Sequence, residues 1–346
     1  MDAISSTFRL NLMKSSIVKI AVIGSNSFSG ASFVDYALTN NLSVIGISRS
    51  EQPNDIFLPY SSNTHKEERF KFHQLDLNNN LDEMINLIKK EEPDYIFNFA
   101  AQSMVAESWK FPEQWFTTNA VSMTKLFNQL KDCSFLKKYI HVTTPEVYGS
   151  CSGYITEDMT YNPSTPYAAS RAAGDMSLKT FVDNYNFPAV STRAANVYGA
   201  GQQLYRIIPR TILYIRQGKK LQLHGGGYSE RSFIHINDVS DATLKIALDG
   251  VIGDTYHIST ESTITIRALV QLICDKMNVK FEDYVDIVDD RAGKDDAYLL
   301  NSSKLRNDFG WKEKINLDEG LEETLFWVDK NLEDIGSLPS EYIHKI

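Results

Sequence analysis

Thr144-Pro145-Glu146-Val147-Tyr148-Gly149 and the later Tyr167-Ala168-Ala169-Ser170-Arg171 carry the groups best suited to chemistry in this chain. The first run places a carboxylate just before a turn, and the second places a phenol near a helix start. Arg171 follows the phenol by four residues, which sets its cation on the same helical face. A positive charge beside a phenol favours the phenolate, so Tyr167 is suited to move a proton near neutral pH. Glu146 is placed to take a second proton. These are the parts for oxidising an alcohol and then eliminating beside the new carbonyl.

Groups so far apart in sequence need a framework to bring them together. Short apolar runs at 18–23, 42–47, 70–75, 95–99, 139–143 and 189–194 read as strands. Between most of them lie helical patterns at 28–38, 81–90, 112–130 and 167–185, with Leu81, Met84, Ile85 and Ile88 on one face of the second. The polar stretch 52–67 reads as a loop. Such alternation predicts an α/β fold, a Rossmann-type doubly wound parallel sheet. Past Gly199 the strands shorten to 221–223 and 231–235, among helices at 204–217, 238–248, 265–277 and 317–331. The chain therefore divides into an extension over 1–16, a mainly dinucleotide-binding part over 17–199 and a smaller α/β substrate-binding region over 200–346. Part of the chain is free to cross back between the last two.

Gly24-Ser25-Asn26-Ser27-Phe28-Ser29-Gly30 joins the first strand to the first helix. Glycines there permit a tight turn and close approach to a pyrophosphate, which a helix N-terminus attracts. Ser27 stands where a third glycine is usual, and its hydroxyl is available to a phosphate. The second strand ends in Ser48-Arg49-Ser50 instead of the acidic residue that holds NAD ribose hydroxyls. Arg49 either pairs with a 2′-phosphate or is a solvated loop residue, and the reading taken is NADP, with NAD the alternative. Asp76 and Leu77 are placed to flank an adenine. Ala100 and Ala101 let the backbone pass close to a cofactor ribose, and Gln102 and Ser103 either face a substrate or cap the loop.

In order, the glycine turn, Ala100-Ala101-Gln102-Ser103, the Thr144–Gly149 motif and the tyrosine helix resemble the extended short-chain dehydrogenase/reductase family. Arg193-Ala194-Ala195-Asn196-Val197-Tyr198-Gly199 and Arg231-Ser232-Phe233-Ile234-His235 continue the likeness over roughly 17–330. Within it, the chain looks like the nucleotide-sugar 4,6-dehydratase branch. That resemblance implies a reaction within one bound sugar. Tyr167 takes the proton of the 4-hydroxyl while hydride leaves carbon 4 for the nicotinamide, and Thr144 bonds that oxygen. Glu146 removes the proton on carbon 5, the 6-hydroxyl departs as water, and the hydride returns to carbon 6. The cofactor ends unchanged and stays bound. Arg171 stands where the family motif has lysine, and keeps the charge with a different fork. Pro145 stands where dTDP-glucose-type enzymes have an aspartic acid. Proline has no titratable group, so Glu146 is expected to return its proton to the leaving oxygen.

By the same resemblance Asn196, Arg206 and Arg231 surround the nucleotide-sugar pyrophosphate, and Arg291 is a further nucleotide contact. The family also implies a homodimer through helices near 112–131 and 167–185. A 4-epimerase or uronic-acid decarboxylase uses the same scaffold, and a cofactor-binding scaffold without turnover is the non-enzyme alternative.

The bulk properties agree with a soluble globular protein. Of 346 residues, 42% are hydrophobic and 23% charged, and the net charge of −9 argues against nucleic acid or anionic membrane as partner. No apolar run is long enough for a span. Cys133, Cys151 and Cys274 show no metal-ligand spacing, nor do the histidines, so no metal is expected. The expected location is the cytoplasm.

Overall fold

The computed structural model describes residues 17–289 and 299–344, so the 1–16 extension and Arg291 lie outside the described residues. Its centre is a seven-stranded sheet. The strands are β1 (Lys19–Ile23), β2 (Ser43–Ser48), β3 (Phe70–Gln74), β4 (Tyr95–Asn98), β5 (Lys138–Val142), β6 (Ala189–Ala194) and β7 (Thr255–Ile258). Their order across the sheet is β7-β6-β5-β4-β1-β2-β3, and every pairing is parallel. The order of strand addition reverses between β1 and β4, which opens a crevice at the carboxyl ends of the strands. Register brings those ends level: Ile23 pairs with Ile47 and Asn98, Asn98 with His141, and Val142 with Thr192.

The β1 run Lys-Ile-Ala-Val-Ile is buried along almost its whole length, as a strand covered on both faces must be. Helices α1 (Phe28–Thr39) and, later, α7 (Ile236–Asp249) cover one face, with Phe33, Val34, Phe97 and Tyr256 in the core between. On the other face lie α2 (Leu81–Glu91), α4 (Met123–Leu130) and α5 (Pro166–Tyr185), over Met84, Leu126, Phe127 and Tyr139. Full burial of each such side chain stabilises the fold by roughly 1.5–3 kcal/mol. A separate core joins α6 (Ile207–Arg216), α8 (Ile266–Lys276) and α9 (Leu317–Lys330) through Leu213, Leu269, Ile273 and Val328.

Three features depart from the sequence reading. The 112–130 helix is interrupted: α3 (Pro112–Phe116) enters a π-helical stretch, Thr117–Ser122, before α4 begins. Short helical turns at Asp55–Phe57, Pro59–Ser62 and Lys66–Arg69 punctuate the 52–67 loop. Finally, Thr255–Ile258 was not read as a strand, and as β7 it pairs with β6 and completes the sheet from beyond residue 200.

Candidate active site

The crevice contains a cleft of about 290 Å³, at the lower end of the size range for small-molecule sites. Gly24, Ser27, Arg49, Asp76, Leu77, Ala100, Ala101 and Gln102 all line it, so strand ends far apart in sequence converge on one cavity. Gly24 has φ +87°, and a Cβ there would meet the Ala100 nitrogen at 2.6 Å. The turn thus needs glycine for its conformation and for its neighbour. Asn26 stitches it to the β2 end: its backbone N–H donates to Ser48 Oγ at 2.9 Å and its amide to the Ser50 carbonyl at 3.0 Å. A closely approached glycine turn, a helix start and a cleft at the sheet's switch point fit a dinucleotide.

The turn also corrects one expectation. Ser27 Oγ donates to the Gly24 carbonyl at 2.7 Å and accepts from the Gly30 N–H at 3.0 Å. Its hydroxyl is therefore committed to capping α1, because a helix start leaves N–H groups that need an acceptor. Phe28 packs its ring into the core, Ser29 lies in the first turn of α1, and Gly30 lies tight against the Gly24 carbonyl.

The Thr144–Gly149 motif grows from β5. Thr144 is extended and begins a 3-10 turn, Pro145–Tyr148, with its hydroxyl accepting from the Glu146 N–H at 3.3 Å. Pro145 sits at the first position of that turn, where a missing N–H costs nothing. Tyr167 is set by the neighbouring helix, whose start is fixed by Pro166 and by Thr165 Oγ1 accepting from the Ala168 N–H at 3.1 Å. Its phenol is buried, and burial raises its pKa above the usual tyrosine value. The Arg171 charge pulls the other way, Glu146 adds to the rise, and Thr144 and Arg206 lower it. Arg171 favours the phenolate as its spacing suggested, while desolvation, which the sequence does not show, disfavours it. Arg171 is itself buried, and its guanidinium donates to the Val142 carbonyl.

Asn119 links the cleft to this helix and was not legible beforehand. It lies in the π-helical stretch, accepts from the Gln102 N–H, and donates to the Gln102 carbonyl and Ser170 Oγ, each at 2.9 Å. A π-helical turn is a frequent mark of a functional site. Ser103, by contrast, is exposed.

Of the residues expected beyond Gly199, Arg206 precedes α6, is exposed, and lies 5.4 Å over the Tyr205 ring. Its charge reaches the Tyr167 phenol. Arg231 is buried and donates to the Glu230 carbonyl at 2.7 Å, while Asn196 is half-buried on a short strand beside Phe233. An unanticipated neighbour is the C-terminal segment. Tyr342 lies edge-on to Tyr205 at 5.4 Å and within electrostatic reach of Arg49, Glu107 and Arg206. His344 stacks on Phe111 and Trp115. Among the described residues no group of three or more His, Cys, Asp or Glu side chains is arranged to hold a metal, and no helix is long and apolar enough to cross a membrane.

The parallel sheet, the glycine turn in its cleft and the tyrosine helix belong to an extended short-chain dehydrogenase/reductase, and the comparisons set it in the nucleotide-sugar 4,6-dehydratase branch. The sequence model for GDP-mannose 4,6 dehydratase matches residues 22–324, and the chain belongs to that family. The chain is 29% identical to the dTDP-glucose 4,6-dehydratase of Escherichia coli, covering 91% of this chain and 95% of that one. It is 33% identical to the mouse dTDP-D-glucose 4,6-dehydratase, over 71% of this chain and 70% of the relative. The structure of DesIV, a dTDP-glucose 4,6-dehydratase from Streptomyces venezuelae solved with NAD bound, superposes with a TM-score of 0.83. That match has 27% identity and covers 91% of this chain and 98% of DesIV.

Proposed function

We propose that this chain converts a nucleoside-diphosphate hexose into its 4-keto-6-deoxy form, with NADP in the cleft and NAD as the alternative dinucleotide. The carrying observation is that the Thr144–Tyr148 turn after β5 and the start of α5 lie together at the carboxyl end of the sheet, with Arg171 bonded to the Val142 carbonyl and the Tyr167 phenol buried. Relatives named for dTDP-glucose set the substrate class. The bound nicotinamide supplies what no side chain here offers, a reversible acceptor of hydride.

The chain's own groups handle the protons. Tyr167 takes the proton of the sugar 4-hydroxyl as carbon 4 is oxidised, with Thr144 bonded to the same oxygen. The resulting ketone acidifies carbon 5, and Glu146 removes that hydrogen as a proton. Because Pro145 has no acid to offer, Glu146 gives the same proton to the departing 6-hydroxyl, which leaves as water. Carbon 5 regains a proton from solvent and Tyr167 returns its own to solvent, which balances the cycle. Arg206, Arg231, Asn196 and, outside the described residues, Arg291 take the pyrophosphate and its nucleoside, a task to which guanidinium forks are suited. Gln102 and Ser103 face the sugar.

The dinucleotide preference rests on Arg49, which lines the cleft where an acidic residue would otherwise hold ribose hydroxyls. Arg49→Ala is expected to weaken NADP binding by about 10- to 100-fold and leave NAD binding nearly unchanged, as read by calorimetry. Equal losses for both would assign the cofactor reading to NAD. A homodimer in the cytoplasm completes the proposal. Val121, Met176 and Tyr185 are 50%, 62% and 56% exposed on the helices expected to pair.

The direct test incubates the protein with GDP-, dTDP-, UDP- and CDP-linked hexoses and follows product mass. Loss of one water without net cofactor reduction supports the proposal. Unchanged mass with altered stereochemistry would mean an epimerase, loss of carbon dioxide a decarboxylase, and complete inertness a binding scaffold. A Glu146→Gln protein that eliminates water at the normal rate would refute the double role given to Glu146.

A further inference from the structure

Behind the catalytic turn lies a closed polar network that the reaction itself does not use. Asp175 stands one helical turn beyond Arg171 on α5 and is 6% exposed. Its Oδ2 accepts from Thr143 Oγ1 at 3.0 Å and from the Arg193 guanidinium at 2.8 Å, and His141 Nε2 lies 3.2 Å from Oδ1. Arg171, meanwhile, holds the Val142 carbonyl. Two side chains of the tyrosine helix thus grip three consecutive residues at the β5 end, and Thr144 is the next.

The other end of the turn is held as well. Arg193, 1% exposed on β6, donates to the hydroxyls of Tyr148 and Tyr161, and its guanidinium carbon lies 4.7 and 4.8 Å from their ring centres. Tyr148 closes the turn and also meets His257 Nε2 on β7 at 2.8 Å. The segment bearing Thr144 and Glu146 is therefore pinned on both sides by groups that lead back to one Asp–Arg pair. A buried ion pair is weak as a source of net stability, since desolvation offsets most of its attraction. What it does give is direction: fork and carboxylate fix distances and angles that apolar packing leaves loose.

We propose that Asp175 and Arg193 are positioning residues that hold the Thr144–Glu146 turn in register with the Tyr167 phenol, acting through Thr143 and Tyr148. The consequence for catalysis rests on the roles given above to Glu146 and Tyr167. Freeing either end of the turn displaces Glu146 from carbon 5 while α5 keeps Tyr167 in place. Carbon-5 deprotonation then suffers more than carbon-4 oxidation.

Thr143→Val and Tyr148→Phe each release one end and keep the local shape. Asp175→Asn cuts the hub but strands a buried cation, so the outer variants decide the question. Hydrogen–deuterium exchange on the intact protein is the primary readout. Amides 143–149 are expected to exchange about 10-fold faster, with 167–175 unchanged. The second readout uses dTDP-glucose deuterated at carbon 4 or at carbon 5. The expected kcat loss is about 10- to 100-fold with KM little changed, the range for a catalytic group displaced by an ångström. The carbon-5 isotope effect is expected to rise relative to that at carbon 4. Unchanged exchange in 143–149, or exchange raised equally through α5 and β6, would overturn the positioning role. So would an unchanged ratio of the two isotope effects. Localised exchange in a protein whose wild type dehydrates no sugar nucleotide would instead strike at the reaction assignment, and leave the positioning standing.

Discussion

The part of the molecule before Gly199 and the part after it hold their functional side chains by different means. In the first, parallel strands in strict register deliver the glycine turn, Arg49, Ala100, Thr144 and the partner of Arg171 to one edge of the sheet. In the second, Arg206 projects at the start of α6, and Arg231 lies on a two-residue strand, Glu230–Arg231, paired with Ile264–Thr265. Strand ends fix groups within fractions of an ångström, while loops and short pairings adapt and diverge readily. The difference teaches where the two tasks lie. In the function proposed above, proton chemistry belongs to the sheet, and recognition of the nucleotide belongs to the shorter elements beyond it.

If that division is right, lesions in the two parts separate kinetically. The largest effect is expected from Tyr167→Phe, which removes the proton-transfer group and should lower kcat by about 100- to 10,000-fold with KM little altered. Arg231→Ala should do the reverse, raising KM for the nucleotide sugar by roughly 10- to 100-fold while kcat holds. Steady-state kinetics on the two variants checks both claims. A KM effect from Tyr167 and a kcat effect from Arg231 would break the comparison.

The pH–rate profile sharpens the first half of it. Since burial holds the Tyr167 pKa above the ordinary phenol value, the base form grows as pH rises, and kcat should climb on the alkaline side. Arg171 opposes that rise, so Arg171→Met should move the limb to still higher pH. A limb that stays in place would show that the guanidinium does not act on the phenol.

A smaller effect concerns stability and spans both parts. Burial keeps His257 on β7 and His235 before α7 neutral, with pKa values pushed down to about 3 and about 4. Unfolded histidine titrates near 6.5, so below about pH 6.5 the unfolded chain binds protons that the fold refuses. Stability should therefore fall as pH drops from about 6.5 toward 4, by on the order of 3 kcal/mol per histidine. Asp175 acts lower down. Burial works against its ionisation, but Arg193 and the neighbouring His141 outweigh burial and hold the carboxyl below its usual value. Its contribution is present above the unfolded carboxylate value and is lost as pH falls through its own. Denaturant titrations between pH 7 and 4 check the sign, and stability that rises on acidification would contradict it.

How much of this was legible follows the same division. Alternating apolar runs and glycine turns announced the sheet, because parallel crossover topology imposes them on the chain. Thr144, Glu146, Tyr167 and Arg171 could be proposed from the sequence because they stand in short motifs. Asp175 and Arg193 were not, since nothing in a helix aspartate or a strand arginine reveals its partner until β5, β6 and β7 lie side by side. The β7 strand was itself missed: Thr255–Ile258 is four residues long and stands far from the other strands. Ser27 was read as a phosphate donor because its type allows that bond, but the helix start claimed the hydroxyl first.

The central claim is that one sugar is oxidised at carbon 4 and reduced at carbon 6 within a single visit to this site. The most direct test supplies a sugar nucleotide deuterated at carbon 4 and locates the label in the product by mass and NMR. The account predicts a product lighter by one water with deuterium on carbon 6. Deuterium lost to added dinucleotide in solution, or still on carbon 4 after turnover, would contradict it.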